Sequence, residues 1–262
     1  MADHLAVNRR LWDRYAELHA TSAWYDVEGF LAGRSSLKSI EREEMGCVRG
    51  RSLLHLQCHF GLDTLSWARE GALVTGVDFS TVAVGLARSL AAEANLEATF
   101  ICADILSLPA EPAMRYDIVF TSYGVISWLA DLDRWATVIA AYLKPSGIFY
   151  MVEFHPLVFA MDDHGERFAY PYCATGEALE FRQDGSYASK AEPLMSREWP
   201  HDLGEVVSAL TRSGLRIDFL HEFPYGTYPY PPYLVEEAPD RYVWPDLRLA
   251  IPVLFSLKAT AC

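Results

Sequence analysis

Three features of the chain predict an α/β fold, a doubly wound and mostly parallel sheet of seven strands. Between residues 50 and 155, strand-like apolar runs alternate with helical periods, which implies right-handed crossovers back into one sheet. The run Leu53 to Ser80 ends one strand in a tight turn and the next in an acid, Asp78, and ligands of such sheets bind at the carboxyl ends of strands. The 262 residues are 51% hydrophobic and 22% charged, which rules out disorder and supplies a large core.

The elements follow in order. MADHLAVNRRLWDRYAEL is a charged amphipathic helix pattern without the apolar centre of a signal peptide, and residues 1–48 are expected as an N-terminal helical cap. The remainder, 49–262, is expected as the sheet domain, with substrate-facing insertions at about 156–200 and 224–250. SLLHLQ (52–57) reads as a buried strand, followed by a helix over 62–70 that Gly71 closes. ALVTGV (72–77) is the second strand, and Ser80 caps a helix reaching about Asn95. Residues 99–103 and 116–122 are the third and fourth strands. Asp131 caps a helix with Leu132, Trp135, Ile139 and Leu143 on one face, stopped by Lys144-Pro145-Ser146-Gly147. Residues 148–154 form the fifth strand. Trp67 and Trp135, on crossover helices, belong to the core.

Beyond Pro156 the rhythm breaks, and 156–200 shows no clean period. Asp202 with Glu205 has capping-box spacing for a helix ending near Ser213-Gly214. Residues 215–223 and 252–259 read as the last two strands. The stretch 224–246 between them is too rich in proline for a helix or a central strand.

Charge narrows the partners. The net charge of −13, from 22 Lys+Arg against 35 Asp+Glu, disfavours nucleic acid and anionic membranes, whose binding draws on basic clusters. No apolar run reaches the length of a membrane span. Five scattered cysteines form neither a C-x-x-C nor a zinc spacing, so no metal site is expected. Cys58 and Cys102, inside apolar runs, read as buried reduced thiols of a cytoplasmic protein. A monomer or homodimer with a small-molecule substrate fits these limits.

The turn carries the chemistry. A ribose needs a hydrogen-bond acceptor for its hydroxyls, and Asp78 lies 17 residues beyond Gly61, near the usual spacing of about 20. Of the glycine-rich dinucleotide fingerprint only Gly61 remains, with Gln57, Cys58, His59 and Phe60 in the other places. Without the small residues, backbone amides cannot approach a diphosphate closely. A nucleoside lacking phosphates, S-adenosylmethionine rather than NAD or FAD, is the ligand this turn suits.

The strings LQCHFGLDTLSWA, GVDFS, CADI, FTSYGVISWL, DLDRW, VEFHP and EWPHDLGEVV resemble the class I S-adenosylmethionine-dependent methyltransferases, specifically a bacterial subgroup with this first motif. The resemblance implies a Rossmann-like seven-stranded sheet with the last strand antiparallel. It implies that Gln57, His59 and Gly61 underlie the methionine moiety and that Asp78 takes the ribose hydroxyls beside Phe79. It implies that Asp104 and the Ile105 amide meet the adenine, while Thr121, Ser122 and Tyr123 line the wall nearest the sulfonium. Trp12, Tyr15, Trp24 and Tyr25 are nominated as a lid.

Methyl transfer to a small-molecule acceptor is the expected reaction. Proximity supplies much of its catalysis, and a hydroxyl or ammonium acceptor also requires a base. His155 is the expected base, with Glu153 and Tyr123 as further catalytic candidates; Glu198 and His201 are expected to stand opposite. Tyr225, Tyr228, Tyr230 and Tyr233 suit a loop that excludes water. An alternative chemistry closes the cofactor on itself as an azetidine-2-carboxylate synthase, a cyclase or lyase releasing methylthioadenosine. A further alternative is a non-catalytic S-adenosylmethionine-binding protein.

Overall fold

The computed structural model describes residues 2–246 and 250–262. Residues 247–249, part of the expected second insertion, lie outside the described residues.

One seven-stranded sheet organises the chain: β1 (Ser52–Leu56), β2 (Leu73–Asp78), β3 (Ala98–Cys102), β4 (Tyr116–Ser122), β5 (Leu143–Phe154), β8 (Leu215–Phe223) and β11 (Leu254–Ala261). Their spatial order is β3-β2-β1-β4-β5-β11-β8, and β11 alone runs antiparallel to its neighbours. The fold class is therefore the predicted one. Order reverses between β1 and β4, the switch point where a crevice opens beyond the strand ends.

Alternation along each strand feeds two cores. Leu54, Leu56, Val119, Phe149 and Met151 pack against α6 (Leu132–Tyr142) and α8 (Leu203–Arg212). Leu53, Val74, Ile118, Phe120 and Tyr150 face the other way, toward α3 (Ser39–Met45) and Trp67 of α4 (Leu62–Arg69). A third cluster joins α4, α5 (Thr81–Glu93), Phe60 and Phe100. Trp67 and Trp135 are wholly buried, as expected. Among the helix starts, Ser80 accepts the Ala83 amide and Asp131 the Arg134 amide, both as predicted.

Several expectations are corrected. The fifth strand begins at Leu143 because α6 ends at Tyr142, and Pro145 to Gly147 form an irregular run between the pairs Tyr116↔Leu143 and Ile118↔Ile148. The region without a clean period holds a short helix α7 (Pro156–Ala160) and a hairpin of β6 (Leu179–Gly185) with β7 (Lys190–Glu198). β6 alternates half-buried with exposed positions, and β7, whose burial is irregular, packs on α1 (Ala2–Ala20). The proline-rich segment contains a small two-stranded sheet, β9 (Val235–Ala238) with β10 (Arg241–Val243), outside the main sheet. At α8, Asp202 caps the Glu205 amide, but the Glu205 carboxylate bonds His201 instead of closing a box. Cys102 is exposed on the edge strand, whereas Cys58 is buried.

Candidate active site

A cavity of about 540 Å³ opens beyond the carboxyl ends of β1, β2 and β4, roofed by the N-terminal helices, the β6–β7 turn and the 224–246 segment. That volume lies within the range of small-molecule sites.

Its floor is a strained turn. Gln57, His59 and Gly61 have φ of 56°, 51° and 83°, all in the left-handed region that side chains other than glycine rarely adopt. Gly61 is required also by space, since a Cβ there would meet the Phe100 ring at 2.8 Å. What holds the turn is Asp78: one carboxylate oxygen accepts the His59 amide at 2.8 Å, the other the Ser80 amide at 2.9 Å. Burial pushes the Asp78 carboxyl up to about 6, against those amide bonds. The Phe79 amide also acts on the carboxylate, whose roughly four lone-pair sites exceed these three amides.

Two buried polar atoms of this turn have no partner, Oε1 of Gln57 and Nδ1 of His59. Gln57 spends its amide nitrogen on the Val125 carbonyl at 2.9 Å, so its oxygen remains as an acceptor. The proton position on His59 follows from a chain of hydrogen bonds. Ser186 Oγ accepts the amides of Ala188 and Ser189, which fills both lone pairs, so its own proton goes to His19 Nε2 at 2.8 Å. His19 then carries its proton on Nδ1 and donates to His59 Nε2 at 2.9 Å. His59 is thereby assigned a proton on Nδ1, an unused donor. Burial holds His19 down to about 3 and His59 well below the ordinary imidazole value, so the pair is neutral.

Of the expected cofactor residues, Gln57, His59, Gly61, Asp78, Phe79, Asp104, Ile105 and Ser122 line this cavity, as do Trp12, Tyr15, Trp24 and Tyr25. Tyr15 donates to the Gly185 carbonyl at 2.5 Å and the Tyr25 hydroxyl pairs with that of Tyr187, so the N-terminal helix and the β6–β7 turn close as one roof. Asp104 sits at the cavity but turns its carboxylate to its own helical turn, accepting from the Leu106 amide and the Ser107 hydroxyl. Thr121 is displaced from the expected wall: wholly buried, it donates to the Leu56 carbonyl within the sheet and does not line the cavity.

The catalytic candidates divide. Tyr123 lines the cavity with φ of 26° and donates to Glu41 at 2.9 Å. Glu153 and His155 do not line it, which corrects both expectations. The Glu153 carboxylate accepts the amides of Gly124, Val125 and Ile126 and so shapes the loop after β4. His155 caps α7 through Nδ1 and bonds Glu222 through Nε2 at 2.9 Å, leaving neither nitrogen for a substrate. His201 is likewise spent, on Glu205 and the Leu129 carbonyl. Glu198 does reach the cavity. Of the loop tyrosines, Tyr228 and Tyr230 line it; Tyr233 stacks on Trp244 and Tyr225 lies under Arg241.

Sequence reasoning missed Asp63 and Glu41. Asp63 lines the cavity and accepts the hydroxyls of Ser36 at 2.6 Å and Ser122 at 3.0 Å. Glu41, 1% exposed, sits behind Tyr123, and burial pushes it up to about 7. An acid at the second position of a helix reads as an ordinary dipole partner, so Asp63 carries no signal until the cavity is seen. No group of His, Cys, Asp and Glu among the described residues has the arrangement of a metal site.

Comparisons with known proteins bear on the fold. Residues 45–147 match the family model described as Methyltransferase domain. Ubiquinone biosynthesis O-methyltransferase from Vibrio campbellii is 32% identical over 130 residues, covering 48% of this chain and 55% of that protein. The chain thus aligns with about half the length of the curated relatives it matches. The solved S-adenosylmethionine-dependent methyltransferase from Mesorhizobium loti superposes with a TM-score of 0.58 at 19% identity, covering 88% of this chain and 99% of that one. The glycopeptide N-methyltransferase MtfA, solved with S-adenosyl-L-methionine, gives 0.56 at 15% identity, covering 90% and 96%. The fold is that of these methyltransferases.

Proposed function

We propose that this protein is an S-adenosylmethionine-dependent methyltransferase acting on a small-molecule acceptor. One observation carries the reading: Asp78, Gln57 and His59 line one cavity at the switch point of a methyltransferase fold, and the buried Gln57 Oε1 and His59 Nδ1 have no partner within the protein. The donor set fits the cofactor. Asp78 offers free lone pairs to ribose hydroxyls, Gln57 Oε1 an acceptor to an ammonium, and His59 Nδ1–H a donor to a carboxylate. Phe79 and Ile105 give the apolar bed that an adenine needs. Bound there, the cofactor supplies a methyl group on an activated sulfonium.

The residues of this chain do the rest by position. Asp78 and Glu153 fix the two loops that flank the cavity, each through backbone amides. Trp12, Tyr15, Tyr25 and Tyr187 cover it and keep water out. A small acceptor is supported by the aromatic lining of the cavity, and by the small-molecule pathway named for the Vibrio relative.

Calorimetry tests the cofactor. S-Adenosylhomocysteine should bind in the micromolar range, about −8 kcal/mol, with no heat from NAD. Mass spectrometry tests the reaction: S-adenosylhomocysteine should accumulate only when an acceptor is supplied. Methylthioadenosine formed from S-adenosylmethionine alone, above spontaneous breakdown, would overturn methyl transfer in favour of cyclisation.

A further inference from the structure

Six rings of the cavity lining follow one another in a closed loop. In order they are Trp24, Tyr228, Tyr123, Phe154, Tyr230 and Tyr187, returning to Trp24, with successive centroids 5.0 to 6.1 Å apart. All six line the cavity. They arrive from separate parts of the chain: the stretch after α1, the segment after β8, the ends of β4 and β5, and the β6–β7 turn. Ring faces are negative, so a loop of them favours a cation over a neutral or anionic group. The protein already shows one such contact here, Lys38 Nζ lying 4.7 Å from the centroid of Tyr228.

Charge on the walls points the same way. Arg34 and Lys38 line the cavity, but each is paired with a carboxylate, Asp26 at 2.6 Å and Asp240 at 2.9 Å. Asp63 and Glu198 also line it and take their hydrogen bonds from neutral donors, Ser36 and Ser122 for the first, Ser196 and Gln183 for the second, while the Lys38 charge acts on Asp63 without forming an ion pair with it. Two carboxylates without ion pairs among the described residues would repel an acid and attract an ammonium.

We infer that this aromatic loop, with Asp63 and Glu198, is the acceptor subsite and that it selects small amines, bound as ammonium ions, over alcohols and carboxylates. The inference rests on the methyltransferase reading above. On transfer one N–H becomes N–CH3: the ammonium proton passes to the Asp63 carboxylate and the freed nitrogen pair forms the new bond. The electron pair of the broken S–CH3 bond stays on sulfur.

The test uses matched probes in protein saturated with S-adenosylhomocysteine, whose uncharged sulfur removes the sulfonium charge from the cavity. Propyl, benzyl and 2-phenylethyl skeletons are each presented as amine, alcohol and carboxylate, with binding read by calorimetry and tryptophan fluorescence. At least one amine should bind tenfold or more tighter than its alcohol and carboxylate counterparts. Asp63→Asn and Tyr228→Leu should each erase most of that margin while S-adenosylhomocysteine still binds. Incubation of the preferred amine with S-adenosylmethionine should give its N-methyl product by mass spectrometry. If alcohols or carboxylates bind as well as the amines, if no amine binds, or if both variants keep the margin, the inference is overturned while the cofactor reading stands. Failure of S-adenosylhomocysteine to bind overturns both.

Discussion

His19 of the N-terminal helix and His59 of the turn after β1 share a 2.9 Å hydrogen bond between ring nitrogens, 40 residues apart in the chain. Two neutral imidazoles in contact must be one donor and one acceptor, and Ser186 on the β6–β7 turn decides which. Three separate segments therefore set one proton, the one His59 presents on Nδ1.

Ser186→Ala tests that relay. Without the hydroxyl, His19 Nε2 loses its donor and His59 is free to adopt the other tautomer. S-Adenosylhomocysteine affinity should fall by about 0.5–1.5 kcal/mol, the net worth of one neutral hydrogen bond. Nitrogen NMR should show His59 protonated on Nδ1 in the parent protein; protonation on Nε2 there would refute the assignment.

Asp78→Ala should cost roughly 1.5–3 kcal/mol of S-adenosylhomocysteine affinity by calorimetry, as expected for hydrogen bonds to a charged group. The structure adds a second effect. The His59 and Ser80 amides lose their acceptor, so the melting temperature should drop as well. An unchanged affinity would mean that the ribose is held elsewhere.

Glu41 gives a pH dependence of definite sign. Its carboxyl is raised from 4.5 to about 7 in the fold, first by burial, so ionisation opposes folding. The stability it supports is full below pH 4.5 and lost as pH rises to 7. A shift of that size corresponds to about 3 kcal/mol. His19 and His55, both lowered to about 3 by burial, act in the opposite direction over part of this range, so the comparison must be with a variant. Relative to Glu41→Gln, the parent protein should lose stability in denaturant titrations between pH 4.5 and 7. Parallel profiles would rule out a protonated Glu41.

Glu153 and His155 should separate by structure rather than chemistry. Glu153→Ala leaves three amides of the loop after β4 without an acceptor and should destabilise by several kcal/mol, with the acceptor side of the cavity distorted. His155→Asn, which retains a side-chain oxygen to cap α7, should keep the pH profile of the methyl-transfer rate unchanged. Loss of the acidic limb of that profile, where a base is protonated, would restore His155 as a base.

The repeat of strands and helices, the stop at Gly71, the caps at Ser80 and Asp131, and the acid ending β2 were legible in the sequence because each is a local event. Hydrophobic period, cap chemistry and turn chemistry act within a few residues, and they place Gln57, His59, Gly61 and Asp78 together beyond the carboxyl ends of neighbouring strands by topology alone. Tertiary structure decided what those residues have left to offer. His155 and Glu153 look like a base and an acid in the string VEFHP, yet Glu222, the Leu157 amide and three amides after β4 consume them. Asp63 and Glu41 look like solvated helix acids, yet Tyr123, Ser36 and Ser122 hold them at or just behind the cavity wall. Hydrogen-bonding capacity is exhausted by whichever groups come nearest, and those come from distant segments. A sequence names the donors and acceptors, but only the packed chain determines which remain unspent.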